Sequence, residues 1–265
     1  MKDIIWVSLQ KIYEHLIPEK TFWRLSYDWI AGEQPEAFAL MNYGFVEDPN
    51  AEYELTDDES LCHALYRHVA GAVTLEGKLL LEVGSGRGGG LAHIKQVLRP
   101  RLAVGIDLSS RAVALARRRH TDIPGLSFLQ GDAEALPFGK ETFDAVLNVE
   151  SSHCYPSKLH FYQEVRRVLV NGGYFLYTDF FDVKDLKDIK EMFQEALLFI
   201  EIESNITDNV LASLRFDEAR KLRLIDRMSP RMRETFRNFA ATTDSETYRL
   251  FATGVRKYMR FVLRR

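Results

Sequence analysis

The 265-residue chain has two cysteines, Cys62 and Cys154, and no CxxC pair. That is too few for a disulfide framework and predicts a reducing compartment, the cytoplasm. It has no run of about 18 apolar residues, so no membrane-spanning segment is expected. Its opening, MKDIIWVSLQKIYEHL, meets charge too early for a secretory signal. A basic excess is also missing: the formal net charge is -3, which argues against a nucleic-acid partner. The basic run Arg117, Arg118 and Arg119 closes an expected helix, where it complements the helix dipole. No internal repeat, low-complexity tract or metal-ligand motif is read.

What is present is a chain able to bury a core, with 46% hydrophobic and 28% charged residues. Residues 1–70 read as helices rich in aromatics (Trp6, Tyr13, Phe22, Trp23, Tyr27, Trp29), with a turn-prone MNYGFVEDPN at 41–50. From residue 79 short apolar runs alternate with helical patterns, as in parallel βαβ units. The expected strands are 79–84, 102–107, 126–130, 143–149, 173–179 and 197–204, with a final YMRFVLRR. Ser109 or Ser110 is the expected cap of RAVALARRRH, and Ser157 that of KLHFYQEVRRVLV. The second helix would bury Leu159, Tyr162, Val165 and Leu169. Asn171-Gly172-Gly173 would stop it with a left-handed residue. The expected fold is α/β and Rossmann-like, a seven-stranded, mostly parallel sheet with helices on both faces. Its expected organisation is an N-terminal helical lid and acceptor region at 1–70, then a domain at 71–265 with an acceptor-pocket insertion at about 181–250.

The first of these strands runs into five glycines, LLLEVGSGRGGG. Glycine lets backbone approach a ligand closely, and a helix N-terminus offers free N–H groups. Gly84, Gly86 and Gly89 fit GxGxxG, so a dinucleotide is one reading and a packing turn another. Three carboxylates follow in order. Glu82 stands two residues before the first glycine, where a buried acid is normally avoided. Asp107 ends the next strand, placed to accept hydrogen bonds from a ribose diol, and Asp132 follows the third in GDAEALPF. Each has a bland alternative, a helix N-terminal charge for Asp107 and a turn residue for Asp132. In open α/β sheets, however, ligands bind outside the carboxyl ends of strands, so all three should converge on one crevice.

This ordered set resembles the class I S-adenosylmethionine-dependent methyltransferases, with ExGxGxG as Glu82-Val83-Gly84-Ser85-Gly86-Arg87-Gly88 and later motifs in GDAEALPF and FDAVLNVESSH. The resemblance implies S-adenosyl-L-methionine as cofactor and S-adenosyl-L-homocysteine as product. It implies that Glu82 and the backbone of Gly84, Ser85, Gly86 and Gly88 hold the methionine part. Asp107 would take the ribose hydroxyls, Asp132 with Ala133 the adenine, and Leu108 the adenine face. Asn148 is counted among the cofactor residues, and Tyr43 in NYGF as a lid over the methionine end. NVESSHCYP and NYGFVEDP are similar to the phthiotriol and phenolphthiotriol dimycocerosate O-methyltransferases of mycobacteria, and related glycolipid, polyketide and sugar methyltransferases share the pattern. Residues 180–250 match only loosely.

The implied reaction is an in-line displacement on a small-molecule acceptor, at a hydroxyl of a lipid, polyketide or other specialised metabolite. His153 is the expected base, with Glu150 orienting it or touching the cofactor; a structural hydrogen bond is the alternative role for His153. Cys154 is not expected to act as a nucleophile, since no covalent step is required. The aromatic N-terminal helices would form a lid; transient membrane contact for a lipid substrate is the alternative. An N-, C- or S-acceptor, an NAD-binding oxidoreductase and a non-catalytic cofactor-binding protein are the rival functions. Oligomeric state leaves no mark in the sequence.

Overall fold

The computed structural model describes Lys20, Thr21, Asp28 and residues 40–52, 59–228, 230 and 233–265. The N-terminal aromatics from Trp6 to Trp29, and with them the expected lid helices, lie outside the described residues. A seven-stranded sheet in the order β3-β2-β1-β4-β5-β7-β6 forms the frame. Its strands are β1 (Leu79–Val83), β2 (Leu102–Asp107), β3 (Leu126–Gln130), β4 (Phe143–Val149), β5 (Leu169–Asp182), β6 (Phe199–Asn205) and β7 (Arg256–Arg264). β1 to β5 pair in parallel, and β7 runs antiparallel between β5 and β6.

Successive residues of a strand point to opposite faces, so strands covered on both sides need apolar residues in runs. Leu80, Ala103, Ala145, Leu147 and Val262 face one layer, with Leu65 and Val69 of α1 (Ser60–Ala70), Leu91 and Ile94 of α2 (Gly89–Val97), and Val113 of α3 (Ser110–Arg119). Leu81, Val146, Phe175, Phe261 and Leu263 face the other, with α4 (Lys158–Val168) and α5 (Leu186–Glu195). Among the described residues four helices link β6 to β7: α6 (Thr207–Phe216), α7 (Glu218–Asp226), α8 (Arg233–Phe239) and α9 (Glu246–Ala252). Within the expected 181–250 insertion, α5 and β6 thus belong to the sheet layers, and α6 and α9 also pack on the sheet, through Val210, Leu211, Leu214 and Phe251 in the cluster of Leu80 and Val262.

Local expectations hold with specific shifts. Ser109, not Ser110, caps α3, its hydroxyl accepting from Ala112 N at 3.1 Å. Ser157 caps α4 through His160 N. The buried face of α4 is Phe161, Tyr162, Val165 and Val168. Leu169 is already extended and opens β5, because Phe143 pairs with it across the sheet. β5 then continues through Gly172, whose φ of 73° is left-handed as expected but falls inside the strand, so Asn171-Gly172-Gly173 is not the stop of α4. β6 begins at Phe199, since Leu197 sits at a φ of 56° and Leu198 turns into the core. The strand order reverses between β1 and β4, which opens a crevice at their carboxyl ends.

Candidate active site

At that crevice lies a cavity of about 610 Å³. One wall of it begins where β1 ends. Gly84 and Gly86 take φ values of 74° and 52°, a region that carbon-bearing side chains avoid. A Cβ on Gly84 would lie 2.2 Å from Ser151 Oγ, whereas one on Gly86 would meet only Met41, at 3.9 Å. The first glycine is therefore needed for close packing, and the second leaves backbone open to the cavity. Asp107, at the end of β2, accepts from Gly86 N and from Ser109 N, both at 2.8 Å, one on each carboxylate oxygen. Burial pushes its pKa up against those two hydrogen bonds. Each oxygen keeps a lone pair, the geometry a diol requires.

Tyr43, Gly84, Ser85, Gly86, Asp107, Leu108, Asp132 and Ala133 line this cavity, as do Glu150 and His153. Glu82, Gly88 and Asn148 stand behind its lining. Glu82 is fully buried and accepts from Tyr66 Oη at 2.7 Å. Its Oε2 has no hydrogen-bond partner among the described residues. Burial lifts its pKa to about 8, with the Tyr66 bond opposing and the Asp107 charge adding. Gly88 caps α2 at a φ of 80° and lies against the ring of Phe128. Asn148 ties strands together, donating to Val83 O at 2.8 Å and Ser151 Oγ at 2.7 Å. Asp132 and Glu134 both pair with Lys20, at 2.6 and 2.5 Å.

The opposite wall carries the acid–base groups. His153, in a single 3-10 turn after β4, binds Asp179 Oδ1 through Nδ1 at 2.9 Å. Asp179 is fully buried near the end of β5 and is held on all sides. Ser152 Oγ donates to it at 2.6 Å, His153 N at 3.0 Å and Phe180 N at 2.9 Å. Burial presses down on the His153 pKa, but neighbouring Cys154 and Asp179 outweigh it and hold the imidazole well above its ordinary value. Conversely, burial would raise Asp179, but His153 and its other donors keep it below the usual carboxylate range. Phe180 stacks on the His153 ring at 4.4 Å, with Arg256 over its own ring at 5.2 Å.

Glu150 occupies the left-handed region at a φ of 46°, a strained choice for a residue with a side chain. Its carboxylate accepts from Tyr43 N at 2.7 Å and from Tyr258 Oη. Burial raises it to about 7 against those two bonds. Glu150 thus fastens the Tyr43 segment to the end of β4, and Asp179 is the group that orients His153. The sequence reading missed Asp179 although it ends the expected strand GYFLYTD, where the rule that singled out Asp107 applies equally. Tyr66 and Tyr258 carried no signal, since their partners lie 16 and 108 residues away.

The residues fit an S-adenosylmethionine-type cofactor. A buried carboxylate oxygen without a partner suits an ammonium, and a glycine wall suits close contact. A strand-end aspartate suits a ribose, and Leu108 and Ala133 suit a flat base.

The family model described as "Methyltransferase domain" matches residues 81–177. The chain is 40% identical over 194 residues to a fatty-acid O-methyltransferase of Mycolicibacterium smegmatis, covering 72% of this chain and 70% of that one. It is 33% identical over 244 residues to a phthiotriol/phenolphthiotriol dimycocerosates methyltransferase of Mycobacterium leprae, covering 90% of each. Among solved structures it resembles a geranyl diphosphate C-methyltransferase of Streptomyces coelicolor bound to S-adenosyl-L-homocysteine. That likeness has a TM-score of 0.68 at 16% identity and covers 94% of this chain and 99% of the other.

Proposed function

The chain belongs to the class I S-adenosylmethionine-dependent methyltransferases, and from that premise we propose that it methylates an oxygen of a lipid-class acceptor, a hydroxyl first among them. The observation that carries this reading is the His153–Asp179 pair, 2.9 Å apart, in the wall of the cavity that also holds the glycine loop and Asp107. Two relatives named for a fatty acid and for phthiotriol, both oxygen-bearing lipids, support the acceptor class.

S-adenosylmethionine supplies an electrophilic methyl group on a sulfonium. In our reading Gly84, Ser85 and Gly86 hold its amino-acid end with Glu82 behind them, Gly88 serves the turn into α2, Asp107 takes its ribose, and Leu108, Asp132 and Ala133 its base. Asn148 acts indirectly, holding Ser151 and Tyr155 under Gly84. Tyr43, fastened by Glu150, closes the methionine side. His153 takes the acceptor's proton at Nε2 while Asp179 keeps Nδ1–H in place, the arrangement a general base needs. Thr235, Asn238, Phe239 and Thr247 from the helices between β6 and β7 form the acceptor wall. A cytoplasmic location goes with this reading, as expected of a chain with two cysteines and no CxxC pair.

The test is transfer of labelled methyl from S-adenosylmethionine to a panel of long-chain alcohols, hydroxy acids and fatty acids, read by mass spectrometry. Methylated lipid oxygen is the expected product. Label appearing only on amines, thiols or carbon would refute the acceptor class.

A further inference from the structure

A second, small cavity of about 30 Å³ lies behind the Tyr43 segment. Leu40, Met41, Asn42, Tyr43 and Phe239 line both it and the large cavity, so a wall one residue thick divides them. On the far side of that wall α7 presents Arg220 and Lys221. Lys221 is 6% exposed. Its Nζ makes no hydrogen bond among the described residues, although an ammonium has three N–H groups to satisfy. The nearest carboxylate oxygen, Asp217 Oδ2, is 3.9 Å away and is already engaged by Arg220, which grips Asp217 with two bonds of 2.6 and 2.5 Å.

Asp217 thus serves Arg220 first and leaves the Lys221 ammonium a long ion pair and the face of the Tyr43 ring, 5.8 Å from its centroid. Burial pushes the Cys62 thiol to about 12, so it contributes no compensating anion. Glu150 is the other nearby acid, and it is committed to Tyr43 and Tyr258. Burial draws the Lys221 pKa down, with Asp217 opposing. A buried ammonium whose N–H groups meet no acceptor is destabilising, so an ammonium kept there calls for an anion that accepts from it.

We propose that this small cavity is a carboxylate-binding site, in which Lys221, backed by Arg220, takes the anionic end of a ligand behind the Tyr43 wall. The carboxylate comes either from the far end of the acceptor itself or from a separate small carboxylic acid. For the acceptor to reach it, a side chain of the dividing wall must swing aside, a rotamer change open to Met41, which lines both cavities and is an unbranched thioether. The acceptor alternative rests on the methyl-transfer reading above; the binding site does not.

Two measurements on the full chain decide it. The first is calorimetric titration with sodium butyrate and with neutral butyramide, on the wild type and on Lys221→Met. Butyrate is expected to bind the wild type at one equivalent, with butyramide far weaker, and Lys221→Met is expected to weaken butyrate about tenfold or more. Lys221→Met should fold, since it removes a buried ammonium that makes no hydrogen bond, and Lys221→Gln provides the same comparison if it does not. The second is KM for 12-hydroxydodecanoate and for 1-dodecanol. A tenfold rise for the hydroxy acid alone in Lys221→Met assigns the carboxylate to the acceptor. Unchanged KM values, with butyrate binding lost, assign it to a separate acid. Equal butyrate binding by wild type and variants, butyramide binding as tight as butyrate, or a KM rise common to both acceptors overturns the proposal. The titration needs no turnover, so it stands even if no lipid proves to be methylated.

Discussion

At His153 the pH dependence of turnover has a definite sign. Its pKa is held well above the ordinary histidine value, while its work as a base requires the neutral ring. Methyl transfer should therefore rise with pH through an acid limb lying above the usual histidine range. Asp179→Asn removes a carboxylate that raises this pKa, so the limb should move to lower pH as the rate falls. His153→Ala should lower kcat by about 10²–10⁴-fold with S-adenosylhomocysteine binding unchanged by calorimetry. A limb unmoved by Asp179→Asn would show that the pair is only structural. Glu82 offers a second residue-scale test. Its folded pKa of about 8 exceeds the unfolded value, so the folded state binds more protons between the two. Stability due to Glu82 is thus greatest below the unfolded pKa and is lost as pH rises toward about 8. Glu82→Gln should flatten that slope in thermal melts while weakening S-adenosylmethionine binding. If binding is undiminished, Glu82 does not hold the ammonium.

Among the elements, α2 makes the closest approach. Its Gly90 has the Tyr66 ring of α1 where a side chain would go, 1.9 Å from an added Cβ. Gly90→Ala should cost about 1–3 kcal/mol in urea unfolding through overpacking. Because Tyr66 also bonds Glu82, the same change should weaken cofactor binding. A loss of stability with affinity intact would uncouple α1 from the site. Helix starts were legible where chemistry is local: a serine before an apolar-periodic run supplies its own acceptor, as Ser109 and Ser157 do. Helix ends were less so. Leu169 reads as a fourth helical contact, yet pairing with Phe143 extends it, because a strand partner outbids a weak local preference.

For the whole molecule, cofactor binding and folding are linked. S-adenosylhomocysteine at a hundredfold excess over its Kd should add about 2.7 kcal/mol and raise the melting temperature by about 5–10 °C. NAD at the same concentration should leave the melt unchanged; an equal shift with NAD would favour a dinucleotide site. The sequence by itself determined the parallel frame, because strands covered on both faces must be apolar runs. It also determined that the glycine turn, Asp107 and Asp132 share one cavity, because they sit at fixed offsets within successive βα units. Only the tertiary structure decided what those groups touch. Asp179 meets His153 because β5 lies beside β4, and Tyr258 meets Glu150 because β7 returns antiparallel along β5. Lys221 comes to rest behind Tyr43 through packing of α7 against α6 and α8, a juxtaposition of segments far apart in the chain that no local pattern encodes.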